Sequence, residues 1–368
     1  MTYDYTLYGA DFSLYTGKAR AYMRYKGLNW QEKKATLDVV RDKIIPNVGA
    51  AIIPVIESKD GQVVQDTTDI IDYLEARHPQ GSVYPSTPKQ HLVSLMLEFF
   101  GDEWLFLPAM HYRWNYLEEH KEFVLSAFGG MGLPNGSLEN KISLGEKLCA
   151  PFRGFTKRMG VTEETRDGVE SSYLATLDQL NSHFEKYDFL LGSRPCIGDF
   201  GLMAPLYAHL GRDPYPKALM QSRAPAVYRW VERMNNPKPL SGEFLLDDEI
   251  PETLIPILQT QCDEQLPDVL KVIKKSAVWL KENPAGNLPR FLGNQDFTVG
   301  GKSGRRWVST YTQWMFQRPW SFYQSLQSKT RPEVDALLNE IGGKIFFNFK
   351  IEHSLVRKPG QLELVEEV

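Results

Sequence analysis

Residues 49–77 constrain this chain more than any other stretch. Gly49-Ala-Ala-Ile-Ile-Pro-Val-Ile56 leads through a polar turn into Val63-Val-Gln-Asp-Thr-Thr-Asp-Ile-Ile-Asp-Tyr-Leu-Glu-Ala-Arg77, which reads as strand, turn, strand, helix. A proline cannot donate to a strand ladder, so Pro54 belongs at a strand start, on an edge, or after a cis bond of the kind X-Pro peptides tolerate. The helix that follows opens with Gln65-Asp66-Thr67. Free amides at a helix start, beside a small hydroxyl, suit a carboxylate. Exposed strand backbone next to an anion-ready helix start is an arrangement for binding a peptide.

Bulk properties narrow the class. The 368 residues suggest two or three domains. Lys plus Arg is 42 and Asp plus Glu is 46, so the net charge is 42 − 46 = −4, which argues against a nucleic-acid partner held mainly by charge. Cys149, Cys196 and Cys262 lie far apart with no CxxC spacing, so neither a disulfide framework nor a metal site is expected, and a reducing compartment fits. The N-terminal residues run straight into a strand without a signal peptide, and there is no apolar run of about 18 residues to span a membrane. A soluble cytoplasmic protein is the expectation.

Along the chain, strands are expected at 5–9, 29–35, 52–57 and 62–64, with helices at 13–26, 38–45 and 67–77. The first 80 residues thus read β-α-β-α-β-β-α. His78-Pro-Gln-Gly-Ser-Val-Tyr-Pro-Ser-Thr-Pro88, with three prolines and a glycine, marks a domain boundary. Helices are expected beyond it near 89–119, 138–159, 165–187, 198–211 and 223–235, with Pro108 kinking the first. A weaker break falls at 235–242. The remainder reads as one or two helices over 253–283, a glycine-turned hairpin over 297–308, an aromatic helix over 310–327, another helix over 332–341, and a short, acidic, frayed tail after Pro359.

The order of elements resembles the glutathione transferase family: a thioredoxin-like α/β domain (1–80) followed by an all-helical domain (89–236). Four local matches carry the resemblance. Leu7-Tyr-Gly9 with Ser13-Leu-Tyr-Thr-Gly-Lys-Ala-Arg20 resembles the first strand, catalytic-serine turn and first helix. Ile53-Pro54-Val55 resembles the cis-proline motif, and Asp66-Thr67 with Ile70 and Tyr73-Leu74 the acid–hydroxyl motif. Leu190-Leu-Gly-Ser-Arg-Pro-Cys-Ile-Gly-Asp-Phe200 resembles the capped helix start deep in the helical domain. The resemblance covers 1–236; residues 237–368 form a mixed, mostly helical extension outside it.

Such a resemblance implies glutathione as co-substrate, a hydrophobic small-molecule electrophile as acceptor, and a homodimer formed through the N-terminal domain and the first helices of the second. The chemistry is activation of a thiol. A free thiol has a pKa of about 8.5, so only about 3% is thiolate at pH 7. Lowering it by about 2 units takes roughly 2.7 kcal/mol, and one hydrogen bond to a charged group supplies about 1.5–3 kcal/mol. By resemblance to the serine-type classes, Ser13 is the donor; as a plain helix N-cap it needs no such role. Tyr8 is the alternative, with Tyr15 behind it. Asp66 and Thr67, assisted by Gln65, are expected to hold the γ-glutamyl end, and both residues also suit a helix cap. Ile53, turned outward by Pro54, is expected to pair its backbone with the cysteinyl part. Lys18 and Arg20 read equally as structural ion pairs or ligand contacts. The glycyl carboxylate has no clear holder at 47–51; Lys34 and Arg41 are candidates. Trp104, His111 and Tyr112, in an aromatic segment, are candidates for an electrophile pocket or for ordinary bundle core. The C-terminal cluster of Trp307, Trp314, Phe316, Trp320 and Tyr323 reads as core, or as a segment folded over the cleft. A non-catalytic transferase-like binding or scaffolding protein is the alternative function.

Overall fold

The computed structural model describes residues 2–283, 288–358 and 361–365. Its first sheet has the order β2-β1-β3-β4, built from β1 (Tyr5–Gly9), β2 (Trp30–Lys34), β3 (Val55–Ser58) and β4 (Val63–Gln65). β2 runs parallel to β1, and β3 and β4 are antiparallel additions. α1 (Leu14–Tyr25) follows β1, and Gly27, at φ +61°, turns the chain back towards β2. The short pieces α2 (Leu37–Val39) and α3 (Ile45–Val48) flank a π-helical turn, and α4 (Thr67–Arg77) closes the domain. This is the expected thioredoxin-like order.

The second region is helical: α5 (Pro88–Phe99), α6 (Phe106–Trp114), α7 (Lys121–Gly129), α8 (Leu138–Arg153), α9 (Phe155–Arg158), α10 (Arg166–Phe184), α11 (Ile197–Ala208), α12 (Pro214–Arg223) and α13 (Pro225–Asn235). The helix expected over 89–119 is broken into α5, a π-helical turn at Phe100–Trp104, and α6, so Pro108 sits in the first turn of a new helix rather than kinking an old one. α7 and α12 are additional to the sequence expectation. α11 runs through the middle and is buried along nearly its whole length. It crosses the end of α5 backbone to backbone: a Cβ on Gly101 would lie 2.4 Å from Gly201 C, and one on Gly201 would lie 2.5 Å from Glu98 Cα. Only glycine allows that approach.

Asp199 fixes the start of α11. Its carboxylate accepts from Cys196 N at 2.9 Å, Leu190 N at 3.1 Å and Trp230 Nε1 at 3.0 Å, so one acid ties the cap, the loop before it and α13 together. Cys196 completes the cap with a thiol in place of a hydroxyl.

The extension is docked on the helical region and continuous with its core. It contains α14 (Ile255–Thr260), α15 (Leu266–Glu282), the hairpin β5 (Phe291–Val299) and β6 (Lys302–Ser309), α16 (Thr310–Ser325), α17 (Arg331–Glu340), α18 (Ile345–Asn348) and the pair β7 (Leu355–Lys358) and β8 (Gln361–Leu364). Between α14 and α15 lies a third π-helical turn, Gln261–Gln265. Gln261 Nε2 donates to Met96 O at 2.7 Å, and Gln265 Nε2 to Phe99 O at 3.1 Å. Glu264 between them accepts from Ser172 Oγ at 2.6 Å, Trp104 Nε1 at 3.2 Å and Gly300 N at 2.8 Å. The tail expected to fray instead forms β8 against β7, because Leu362 is an apolar anchor, 7% exposed. Residues 359–360 and 366–368 of that expected tail lie outside the described residues.

Two stability measurements follow from these contacts. Cys196→Ser restores a better cap acceptor and is expected to add about 0.5–1 kcal/mol in chemical denaturation; a lower midpoint counts against the cap. His183, in α10, bonds Thr253 Oγ1 through Nδ1 at 2.7 Å, and burial pushes its pKa down to about 4. The unfolded chain, with an ordinary histidine pKa near 6.5, then takes up a proton that the fold refuses. Stability therefore falls as pH drops from about 6.5 to about 4, by about 3 kcal/mol for this group alone. Unfolding free energies of His183→Gln and the parent, compared at pH 7 and pH 4, should converge by about that amount; parallel curves would show that His183 takes no part.

Candidate functional site

The Ile53–Pro54 peptide is cis. β3 begins only at Val55, and among the described residues none hydrogen-bonds to the main chain of Ile53. Its N–H and C=O are therefore free to pair with an extended ligand. Across the end of β4, Asp66 has φ +82° and ψ 133°, an uncommon conformation for a residue with a side chain. There it caps α4, accepting from Thr68 N through Oδ1 at 2.9 Å. Thr67, the first residue of the helix, is 4% exposed. The three features share one end of the sheet, since Val55 pairs with Gln65.

Three hydroxyls flank the start of α1. Ser13 caps the helix, accepting from Thr16 N at 3.3 Å, and its own O–H has no acceptor among the described residues. Tyr8 is buried in a small cluster with Ala35, Ile44, Val48 and Val55 and donates to Glu57 Oε2 at 2.8 Å. Burial, followed by Glu57, pushes its pKa up to about 12. Tyr15 donates to Asp102 O at 3.0 Å, and burial, with Glu103 and Asp102 nearby, raises its pKa well above the usual phenol range. Of the three, only Ser13 has an uncommitted proton.

Behind α1 lies a buried ion cluster. Lys18 Nζ is 2.9 Å from Glu98 Oε1 and 2.5 Å from Asp102 Oδ2, with all three side chains under 5% exposed. Thr68 Oγ1 donates to Glu98 at 3.2 Å. From the extension, Arg318 reaches Glu98 Oε2 at 3.5 Å and Asp72 Oδ2 at 2.6 Å. Lys18 and Arg20 are thus both ion-pair residues, Arg20 forking onto Glu32 at 2.6 and 2.7 Å.

The extension also reaches the start of α4. Tyr311 OH donates to Asp66 Oδ2 at 2.6 Å. Arg357 donates from Nη1 to Gln65 Oε1 at 2.9 Å, from Nε to Asp69 Oδ2 at 2.6 Å, and from Nη2 to Gln65 O. Thr312 Oγ1 donates at 2.6 Å to Glu103, whose pKa burial pushes up to about 7. Trp314, Phe316 and Tyr323 of α16 are buried core side chains, so this part of the aromatic cluster is packed core.

Comparison with known proteins fits this geometry. Residues 7–82 match the model of the glutathione S-transferase N-terminal domain, and residues 150–237 that of the glutathione S-transferase C-terminal domain. This is a glutathione S-transferase family protein. Similar solved structures include a glutathione S-transferase from Pseudomonas fluorescens, 19% identical, TM-score 0.38, spanning 66% of this chain and 99% of that one. The beta-etherase LigF from Sphingobium sp. strain SYK-6 is 19% identical, with TM-score 0.46 and coverage of 64% and 96%. A glutathione S-transferase from Methylobacterium radiotolerans in complex with glutathione sulfonate is 18% identical, with TM-score 0.40 and coverage of 67% and 99%. No curated protein sequence matches.

In this transferase-family chain the candidates for an electrophile pocket all have protein partners. Trp104 donates to Glu264, and Tyr112 stacks on Tyr116 at a centroid distance of 5.4 Å. His111 is fully buried, with Nε2 2.8 Å from Glu170 Oε1 and Nδ1 2.8 Å from Asn115 Nδ2. Burial pushes its pKa down, against the pull of Glu170. Its Glu170 partner lies 59 residues away, beyond the reach of any local sequence signal. An open cavity of about 430 Å³ lies elsewhere, beside the β1–α1 loop that carries Ser13. Ala10, Asp11 and Phe12 line it on one side, and Phe123, Met131 and Leu138 on another. Lys34, Lys141 and Arg212 bring positive charge to it. Lys34 therefore borders a cavity, whereas Arg41 is exposed and paired with Asp38 and Asp42. Among the described residues no helix is long and apolar enough to cross a membrane, and no cluster of His, Cys, Asp and Glu could hold a metal ion.

Lys18→Met tests the ion cluster. It leaves Glu98 and Asp102 buried without their ammonium and is expected to cost about 3–5 kcal/mol in equilibrium unfolding; a loss under about 1 kcal/mol would mean that the acids are satisfied by other groups.

Proposed function

We propose that this protein is a glutathione transferase that binds glutathione on the N-terminal domain and adds its thiolate to a small apolar electrophile. One observation carries the reading: the unpartnered main chain of Ile53, before cis Pro54, stands beside an Asp66–Thr67 helix start whose first residue is held in a rare backbone conformation. In this arrangement Ile53 pairs with the cysteinyl backbone. Gln65, Asp66 and Thr67 take the γ-glutamyl end, the Asp66 carboxylate facing its ammonium and the helix amides its carboxylate. Ser13 donates to the thiolate, because its hydroxyl is the one with a free proton at the α1 start. Its lone pair stays on Thr16 N, which holds the hydroxyl in place for that donation. Lys34, at the cavity wall, is the holder assigned to the glycyl carboxylate. The electrophile's place is the apolar part of that cavity, next to Phe12.

The resemblance implies a homodimer through the N-terminal domain and the first helices of the second. Here those elements meet the chain's own extension: α16 packs on α5, and Tyr311 and Arg357 lie on the first turn of α4. A pairing of two copies is therefore assigned to another face.

A second reading, a non-catalytic binding protein, is favoured by one observation. Gln65 and Asp66 are already bonded within the chain. Retention on immobilised glutathione, followed by assay with a chloronitrobenzene-type electrophile, separates the two. The parent should be retained and active. Ser13→Ala should still be retained but turn over about 10- to 100-fold more slowly, the cost of one hydrogen bond to a charged group. Tyr8→Phe should change little. Retention with no turnover supports the binding protein; equal activity in Ser13→Ala and the parent removes the serine assignment.

A further inference from the structure

The acceptors that a ligand ammonium needs at this site are occupied by the chain itself. Gln65 offers a main-chain carbonyl and a side-chain amide oxygen, and Arg357 donates to both. Asp69 accepts from the same guanidinium. Asp66 has Oδ1 on Thr68 N and Oδ2 on the Tyr311 phenol. Three carboxylates, Asp66, Asp69 and Asp72, stand along the first two turns of α4, and the extension sets Arg357 and Arg318 against them. A guanidinium held by a carbonyl and a carboxylate is the same chemistry as an ammonium held there.

The two segments that deliver these groups are anchored differently. Tyr311 and Arg318 belong to α16, whose Met315 and Phe316 are fully buried in the common core. Arg357 belongs to β7, which among the described residues pairs with β8 alone in a separate two-stranded sheet, held to the core by the buried Leu355 and Leu362 and by a bridge from Leu362 to Leu288. Two glutamines join β7 to α16. Gln317 Nε2 donates to Leu355 O and Gln317 Oε1 accepts from Leu355 N, both at 2.8 Å, while Gln313 Nε2 donates to His353 O at 2.8 Å. Segments with few buried contacts open at lower cost than the core they lie on. The piece that can leave is therefore the one carrying Arg357.

We propose that Arg357 is an internal occupant of the ammonium subsite, so that a γ-glutamyl ligand enters by displacing it and β7 acts as the gate of the site. The proposal rests on the reading of this site as one for glutathione. Tyr311 stays in place and, once Arg357 withdraws, its hydroxyl and the Asp66 carboxylate frame the ligand's amino group.

The test is a calorimetric titration of the full-length protein with S-methylglutathione, which has no free thiol and so leaves Ser13 out of the readout. It is run on the parent, Arg357→Ala and Arg357→Lys, with hydrogen exchange of the 355–358 amides followed in parallel. Removing an internal competitor should tighten binding about 5- to 10-fold in Arg357→Ala. Arg357→Lys, which keeps the charge but loses the fork, should fall between. In the parent, saturating ligand should speed exchange at 355–358. Equal affinity in all three proteins, with unchanged exchange, overturns the gate while leaving the glutathione reading intact. Weaker binding in Arg357→Ala also overturns it, and makes Arg357 a direct ligand contact. Absence of binding in both the parent and Arg357→Ala sinks the glutathione reading, and the gate with it.

Discussion

The architecture hangs on one buried ammonium. Lys18 sits on α1 with no exposure to solvent, and it meets Glu98 of α5 and Asp102 of the turn after it. A buried charge is tolerated only when paired, and its partners are tolerated only while it stays. The same Glu98 accepts from Thr68 of α4 and faces Arg318 of α16. One carboxylate thus joins the N-terminal domain, the helical region and the extension. Ser13 and Asp66 head the two helices pinned by this cluster, so the distance between these two helix starts is set by charges that neither touches.

What could be read from the sequence was local. Pro54, Gly27, the proline-rich linker and the Cys196–Asp199 cap each signal through rules that operate within a few residues, and the structure has those elements in those places. The break of the long helix into α5 and α6 was not legible, because a π-helical turn is stabilised by what packs on it, here the glutamines of another π-helical turn some 160 residues later. α7, α12 and β8 were missed for a related reason. α12 and β8 carry few apolar positions, and α7, though apolar, is only nine residues long, so all three are stable only against partners. The roles of single residues divide the same way. Ser13 as a cap could be seen beforehand, but whether its proton is free depends on Tyr8 and Tyr15 having found Glu57 and Asp102. The partner of His111, Glu170, lies on another helix and leaves no local signal. Arg357 gave no signal at all, since its significance comes wholly from Gln65 and Asp69, nearly 300 residues earlier.

The extension covers the first turns of α4: they face α16 and β7, and Asp66, Asp69 and Asp72 meet Tyr311, Arg357 and Arg318. Burial raises Glu103 to about 7 and Asp69 above the usual carboxylate range, while Asp69 and Asp72 keep a third or more of their side chains exposed. A ligand that binds there trades against protein contacts as well as against water, which favours selectivity over raw affinity.

The paired π-helical turns have a consequence for the boundaries of the molecule. Gln261 and Gln265 donate into the carbonyls of Met96 and Phe99, and Glu264 closes the same seam onto Ser172, Trp104 and Gly300. The first two thirds of the chain, which hold the family-matched segments 7–82 and 150–237, therefore have their seam stitched by the last third. Cut away from the extension, they would be a torn edge and not a module: the extension is grafted into the trunk.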